Sequence, residues 1–193
     1  MSKCSSNITK ESTPLKVSKS LKPIQCEDTD LIESISSLIE DTIKRNQAKK
    51  KYSKKTVFFI EDAKIPDISI YNYILYIYAY LNLEFSSIVL SLISINRLME
   101  HTKDKLTKNN FYKLFITSCL LNSKLNEDPS YGYEFYALAG KIDKDELIYL
   151  EQQYFQMLDY KLFVNDEVYR RYYDFIKNRV IKSNRNLNSK KNN

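Results

Sequence analysis

Apolar positions along the chain recur at spacings of three and four, the period of helices that each turn one face to a core. Leu31, Ile35, Leu38, Ile39 and Thr42 follow Asp30, a suitable N-cap, and predict an amphipathic helix ending near Asn46. Beyond Pro66, Ile70, Ile74, Ile77 and Leu81 form a second stripe, widened by Tyr73, Tyr76 and Tyr80. A third helix opens near Ser86 or Ser87 and carries Ile88, Val89, Leu90, Leu92, Ile93, Ile95, Leu98 and Met99. It is apolar on most sides and is expected at the centre of the fold. After a polar connection from His101 to Leu106, Thr107 is placed to cap a helix reaching about Leu125. Phe111, Leu114, Phe115, Leu121 and Leu125 make its buried face, with Cys119 inside as a small hydrophobe.

Asn126 to Ser130, with Pro129, breaks the pattern, and Tyr131 to Ala139 predicts a short helix ended by Gly140 as a C-terminal cap. Asp143 and Glu146 have the spacing of a capping box, opening a helix with Leu147, Leu150, Tyr154, Met157 and Leu158 that ends near Asp159. Asn165 or Asp166 can cap a last helix from Val168 to about Lys177. Six or seven helices with short connections and no convincing strand make the class all-α. The ordered domain is expected over 30–177, between a disordered basic arm at 1–29 and a disordered basic tail at 178–193. The lysine-rich run at 49–55 reads as a solvated linker, and Thr56 to Ile60 is an apolar patch too short to assign.

Composition supports this architecture. Two glycines and four prolines in 193 residues are too few for the turns of a sandwich, barrel or nucleotide-binding α/β fold. The net charge of +6 suggests a polyanion partner until its distribution is considered. Residues 56–176 hold 12 Lys or Arg against 17 Asp or Glu, a net of −5, so the excess positive charge sits in the flanks. That argues against nucleic acid as the partner.

Few chemical motifs emerge. Cys4, Cys26 and Cys119 are too sparse for a disulfide framework and lack zinc-ligand spacing, as expected of an intracellular chain, cytoplasmic or nuclear. No apolar leader is evident, and a membrane span over 68–96 would put Glu84 in lipid, so two soluble helices are expected there. Gly132 and Gly140 stand alone, so no phosphate loop is built and no cofactor or metal is called for. His101 reads as a polar cap at a helix end, and Glu127 with Asp128 is an adjacent acid pair in a loop. Two charges lie on apolar stripes: Glu151, between Leu147 and Tyr154, and Lys124, three residues after Leu121. Such charges are costly unless paired or turned toward a partner.

A longer pattern joins these pieces. Ile65-Pro66-Asp67-Ile68-Ser69-Ile70, Tyr73-Ile74 and Ser91-Leu92-Ile93-Ser94-Ile95-Asn96-Arg97-Leu98 come first. Leu106-Thr107, Asn110-Phe111, Leu114, Thr117-Ser118, Ser123-Lys124, Tyr131, Tyr136-Ala137, Gly140, Glu146-Leu147, Leu150-Glu151 and Leu158-Asp159-Tyr160 follow. In order and spacing they resemble the P/U-type cyclins over about 31–177. The resemblance implies a single five-helix cyclin box, core about 66–164, with flanking helices and no second repeat. It implies a non-catalytic subunit that binds and activates a cyclin-dependent protein kinase as a heterodimer.

Lys124 and Glu151 correspond to the box residues that face the kinase. Leu121, Leu125, Phe155, Tyr160 and Leu162 correspond to the apolar contacts around them. Three positions depart from the family pattern: Asn96 stands where Asp is usual, Tyr76 where a basic residue is common, and Leu125 where an aromatic commonly follows the Lys. Thr13, in Thr13-Pro14-Leu15-Lys16, is a candidate phosphosite for a proline-directed kinase. The alternatives are a cyclin-like scaffold that binds without activating, a nucleic-acid-binding helical domain, and, least favoured, an enzyme.

Overall fold

The structure is a computed structural model. It describes residues 25–47, 56–128 and 131–191, with the side chains of the last helix described to 183. These residues form seven α-helices and no strand: α1 (Cys26–Gln47), α2 (Ile70–Tyr80), α3 (Phe85–Thr102), α4 (Lys108–Asn126), α5 (Tyr133–Gly140), α6 (Lys144–Met157) and α7 (Asp166–Lys191). The all-α class is as expected. Residues 1–24, which include Thr13, and the linker lysines lie outside the described residues, while 26–29 of the expected arm belong to α1.

The centre is α4 rather than α3 alone. From Asn109 to Ser123 every residue of α4 except Lys113 is buried, and α3, α5 and α6 pack around it. Sequence pattern understated this because α4 carries Asn, Ser, Thr and Cys on its inner faces. Ser118 and Asn122 are satisfied within the α3–α4–α6 packing, while the Thr117 hydroxyl is buried without a hydrogen-bond partner among the described residues. Ser118 donates to the Ser91 carbonyl at 3.0 Å, and Asn122 donates to Ser94 at 3.2 Å and to the Ser118 carbonyl at 2.8 Å. Tyr154 of α6 donates to the Ser118 hydroxyl at 3.3 Å. Ser87, Ser91 and Ser94, spaced four and three apart, are all buried. Small side chains there let α3 and α4 approach closely, while hydrogen bonds fix their register.

Local signals set most helix ends. Ser69 accepts from the Asn72 amide at 3.1 Å, and Asn110 accepts from the Thr107 amide at 2.8 Å, capping α2 and α4. Asp143 caps α6 as expected, accepting from the Asp145 and Glu146 amides at 2.9 and 3.3 Å. The Glu146 side chain does not close the box; it accepts from Lys113 of α4 at 2.5 Å.

At the end of α5 the left-handed cap is Lys141, at φ 51° and ψ 43°, and Gly140 is the last helical residue. Gly140 answers to space instead: a Cβ there would meet Ile116 Cγ1 at 3.0 Å. Helix α1 starts at Cys26, a turn before Asp30, with Glu27 and Asp28 favouring its N-terminus. The Tyr78 hydroxyl donates to Asp28 at 2.8 Å and ties that turn to α2.

Helix α7 runs past the expected end near Lys177 and continues to Lys191. No Pro or Gly follows Lys177, and α1 supplies a surface to lean on. Ile176 is buried beneath α1, Val180 packs on the core, and Arg179 reaches Ser37 and Asp41, each at 3.4 Å.

The patch at 56–60 becomes a strap across the core. Phe58 is 2% exposed and meets Tyr154 edge-on at 5.7 Å between centroids. The Ile60 amide donates to the Asn109 carbonyl at 2.7 Å, and Asn109 donates back to the Ile60 carbonyl at 2.9 Å. The segment 68–96 resolves into two helices separated by a turn, and among the described residues no helix is long and apolar enough to cross a membrane.

Candidate partner-binding face

Three helices each bring one polar group to a single cluster. Lys124 lies in the last turn of α4, Tyr133 opens α5, and Glu151 sits mid-way along α6. The Lys124 ammonium donates to Glu151 Oε1 at 2.7 Å and lies 3.7 Å from the centroid of the Tyr133 ring. The Tyr133 hydroxyl donates to Glu151 Oε2. Glu151 keeps 9% of its side chain exposed and Lys124 31%, so the carboxylate is sunk and the ammonium stands above it. Both charges singled out from the apolar stripes are thus satisfied by each other.

The five apolar candidates divide. Leu125 is 57% exposed and Tyr160 69%, with Phe155 half-buried and stacked on Tyr160 at 6.1 Å. Leu121 and Leu162 are buried and support the surface from beneath rather than standing on it.

Asp159 and Tyr160 are consecutive residues at positive φ, 50° and 60°, an arrangement costing about 1–2 kcal/mol each outside glycine. That turn is held by the Tyr160 amide donating to the Phe155 carbonyl at 2.9 Å, and it presents the Tyr160 ring. Phe163, 84% exposed, was missed by sequence reasoning because it belongs to no periodic stripe. Its carbonyl accepts from Arg97 of α3 at 2.8 Å, so the loop that displays it is anchored.

Other candidate groups have structural work. Glu127 accepts from the Glu84 amide at 2.9 Å and from Ser87 at 2.6 Å, closing the N-terminus of α3 rather than pairing with Asp128. His101 lies exposed in the last turn of α3, 3.7 Å from Asp159. Asn96 donates to Tyr172 of α7 at 3.0 Å and to Glu100 at 2.8 Å, which gives it a neutral tie to a flanking helix. Tyr76 lies tilted against Tyr80 at 5.5 Å. Among the described residues no three His, Cys, Asp or Glu side chains gather as a metal site. A groove of about 1040 Å³ opens between the strap, α2, α4 and the α5–α6 turn, and none of the candidate site residues lines it.

The cyclin family model matches residues 3–162. The chain belongs to the cyclin family. Its relatives place this cyclin with the P/U type. Cyclin-U2-1 of Arabidopsis thaliana is 29% identical over 147 residues, covering 74% of this chain and 65% of that protein. Cyclin-U1-1 of the same plant is 28% identical over 142 residues, 72% of this chain and 68% of that one. Cyclin-P3-1 of Oryza sativa subsp. japonica is 30% identical over 133 residues, 69% of this chain and 54% of that protein. The matched part of this cyclin therefore spans just under two thirds of Cyclin-U2-1 and about half of Cyclin-P3-1. In cyclin terms α2 to α6 are the five box helices, and α1 and α7 are the flanks.

Proposed function

We propose that this cyclin is the regulatory subunit of a cyclin-dependent protein kinase, which it binds as a heterodimer inside the cell and activates without supplying a catalytic group. The observation that carries the reading is the Lys124–Glu151 pair, bordered by exposed Leu125 and by exposed Tyr160 stacked on half-buried Phe155. An apolar centre beside a charge pair of fixed geometry is what a specific protein interface needs: the rings and Leu125 supply desolvation, and the pair supplies register. Activation would follow from differential affinity. A surface that fits one position of the kinase's mobile regulatory elements better than the others shifts the population toward it.

The acidic body supports a protein partner over nucleic acid. The test uses Lys124→Glu combined with Glu151→Lys, which keeps an ion pair while reversing its polarity. Purified wild type should bind a cyclin-dependent kinase and raise its phosphorylation rate, and the swapped variant, with an unchanged circular dichroism spectrum, should do neither. Binding without a rise in activity selects the scaffold reading. Binding retained by the swapped variant removes this face from the proposal.

A further inference from the structure

The valences of the Lys124–Tyr133–Glu151 cluster are filled unevenly. Glu151 accepts on both oxygens, Oε1 from Lys124 and Oε2 from Tyr133, and it is nearly closed to solvent. An ammonium has three N–H donors. Lys124 commits one to Glu151, turns a face to the Tyr133 ring, and remains the most exposed member of the ion pair. The accessible open valence of the cluster is therefore a donor on Lys124, the remaining lone pairs of Glu151 being nearly closed to solvent.

Tyr133 accounts for this asymmetry. Its hydroxyl occupies the carboxylate oxygen that Lys124 leaves free, and its ring supports the ammonium from below. It stands at the first position of α5, after Gly132 at the N-cap, so the helix start fixes its direction. Residues of α4 and α6 alone would leave Glu151 Oε2 open to a donor from outside.

Resting on the functional reading above, we propose that Tyr133 is a specificity-determining residue of the kinase-facing surface. With Tyr133 in place, the cluster selects a partner that brings a hydrogen-bond acceptor, a carboxylate or a main-chain carbonyl, to Lys124. A partner bringing a donor to Glu151 is disfavoured, because Tyr133 already occupies Oε2 and the carboxylate is nearly closed to solvent. Tyr133 acts through Glu151 and Lys124 and is a positioning residue.

The test measures affinity for a purified cyclin-dependent kinase shown to bind the wild-type full chain. Tyr133→Phe keeps the ring and removes the donor. Loss of a hydrogen bond to a charged group is expected to weaken binding about tenfold. In a Glu151→Ala background the same change should have no effect, since the group it acts through is gone. A merely structural role would not produce that dependence, and melting temperatures of all four proteins identify any general loss of fold.

Unchanged affinity in Tyr133→Phe overturns the proposal. Equal weakening with and without Glu151 also overturns it, by placing the phenol in direct contact with the partner. If wild type binds no kinase, the functional reading itself fails and takes this inference with it. If wild type binds and only the dependence on Glu151 is missing, the reading stands and the role of Tyr133 does not.

Discussion

Replacing Phe58 with Ala tests whether the strap before α2 is part of the core. Phe58 is 2% exposed, and its ring lies edge-on to Tyr154, which is itself fully buried and bonded to Ser118 at the α3–α4 seam. Truncating a buried Phe costs about 3–5 kcal/mol, from lost transfer free energy and the cavity left behind. The strap can move inward to fill part of that space, which favours the lower end, about 3 kcal/mol. For a domain of this size each kcal/mol lowers the melting temperature by roughly 2–4 °C, so a fall of about 6–12 °C is expected.

Phe59 provides the control. It is half-buried, lines the groove and is outside the core, so Phe59→Ala should cost about 1 kcal/mol or less. Urea titration followed by circular dichroism measures both variants, with an unchanged denaturant slope showing that the difference is one of stability. Equal effects at the two positions, or less than about 1 kcal/mol at Phe58, would refute the plugged-strap account.

Other consequences are open to measurement. Glu151→Ala strands the Tyr133 phenol and the Lys124 ammonium, and a destabilisation of about 1–2 kcal/mol by urea titration is expected, the part-exposed lysine recovering some solvation. Gly140→Ala brings a Cβ to 3.0 Å from Ile116, and the crowding should outweigh the helix-propensity gain by about 1 kcal/mol, so a melting temperature at or above wild type would count against it. Burial pushes the Cys119 thiol up to about 12, so at pH 8 peptide mapping should find alkylation at exposed Cys26 and none at Cys119 until denaturant is added.

Burial also raises the pKa of the Tyr73, Tyr136 and Tyr154 phenols, holding them protonated in the folded chain. In the unfolded chain these phenols and Cys119 lose protons at lower pH than in the folded one. Stability should therefore be intact below about pH 8.5, fall as the thiol ionises in the unfolded chain, and fall further above about pH 10. Flat urea midpoints from pH 8 to 11 would contradict that sign.

Period and caps made much of the fold legible in the sequence. Ile70 to Leu81, Thr107 and Asp143 announce their helices because the signals are local. The central role of α4 was obscured because Ser118 and Asn122 look like surface residues until Ser91 and Ser94 are brought against them. The length of α7 was hidden for a related reason: the sequence beyond Lys177 is polar, and Arg179 there finds its partners in Ser37 and Asp41, far away in the chain. At the candidate face, spacing isolated Lys124 and Glu151 as misplaced charges. It could not show that they are each other's partner, nor single out Tyr133, whose part depends on where three helix termini and faces meet. Phe163 and the left-handed turn at Asp159 and Tyr160 had no periodic signature at all.

Leu121 and Lys124 are one helical turn apart, the first in the core and the second on the face, along a helix enclosed almost throughout its length. Displacing the face would mean shifting α4 against α3, whose register is bonded, or α6, whose Tyr154 is bonded to α4 and abutted by Phe58. The surface thus behaves as a mould set before any encounter, losing little conformational freedom when it is used. In any complex formed there, the adjustment of shape falls to the other molecule.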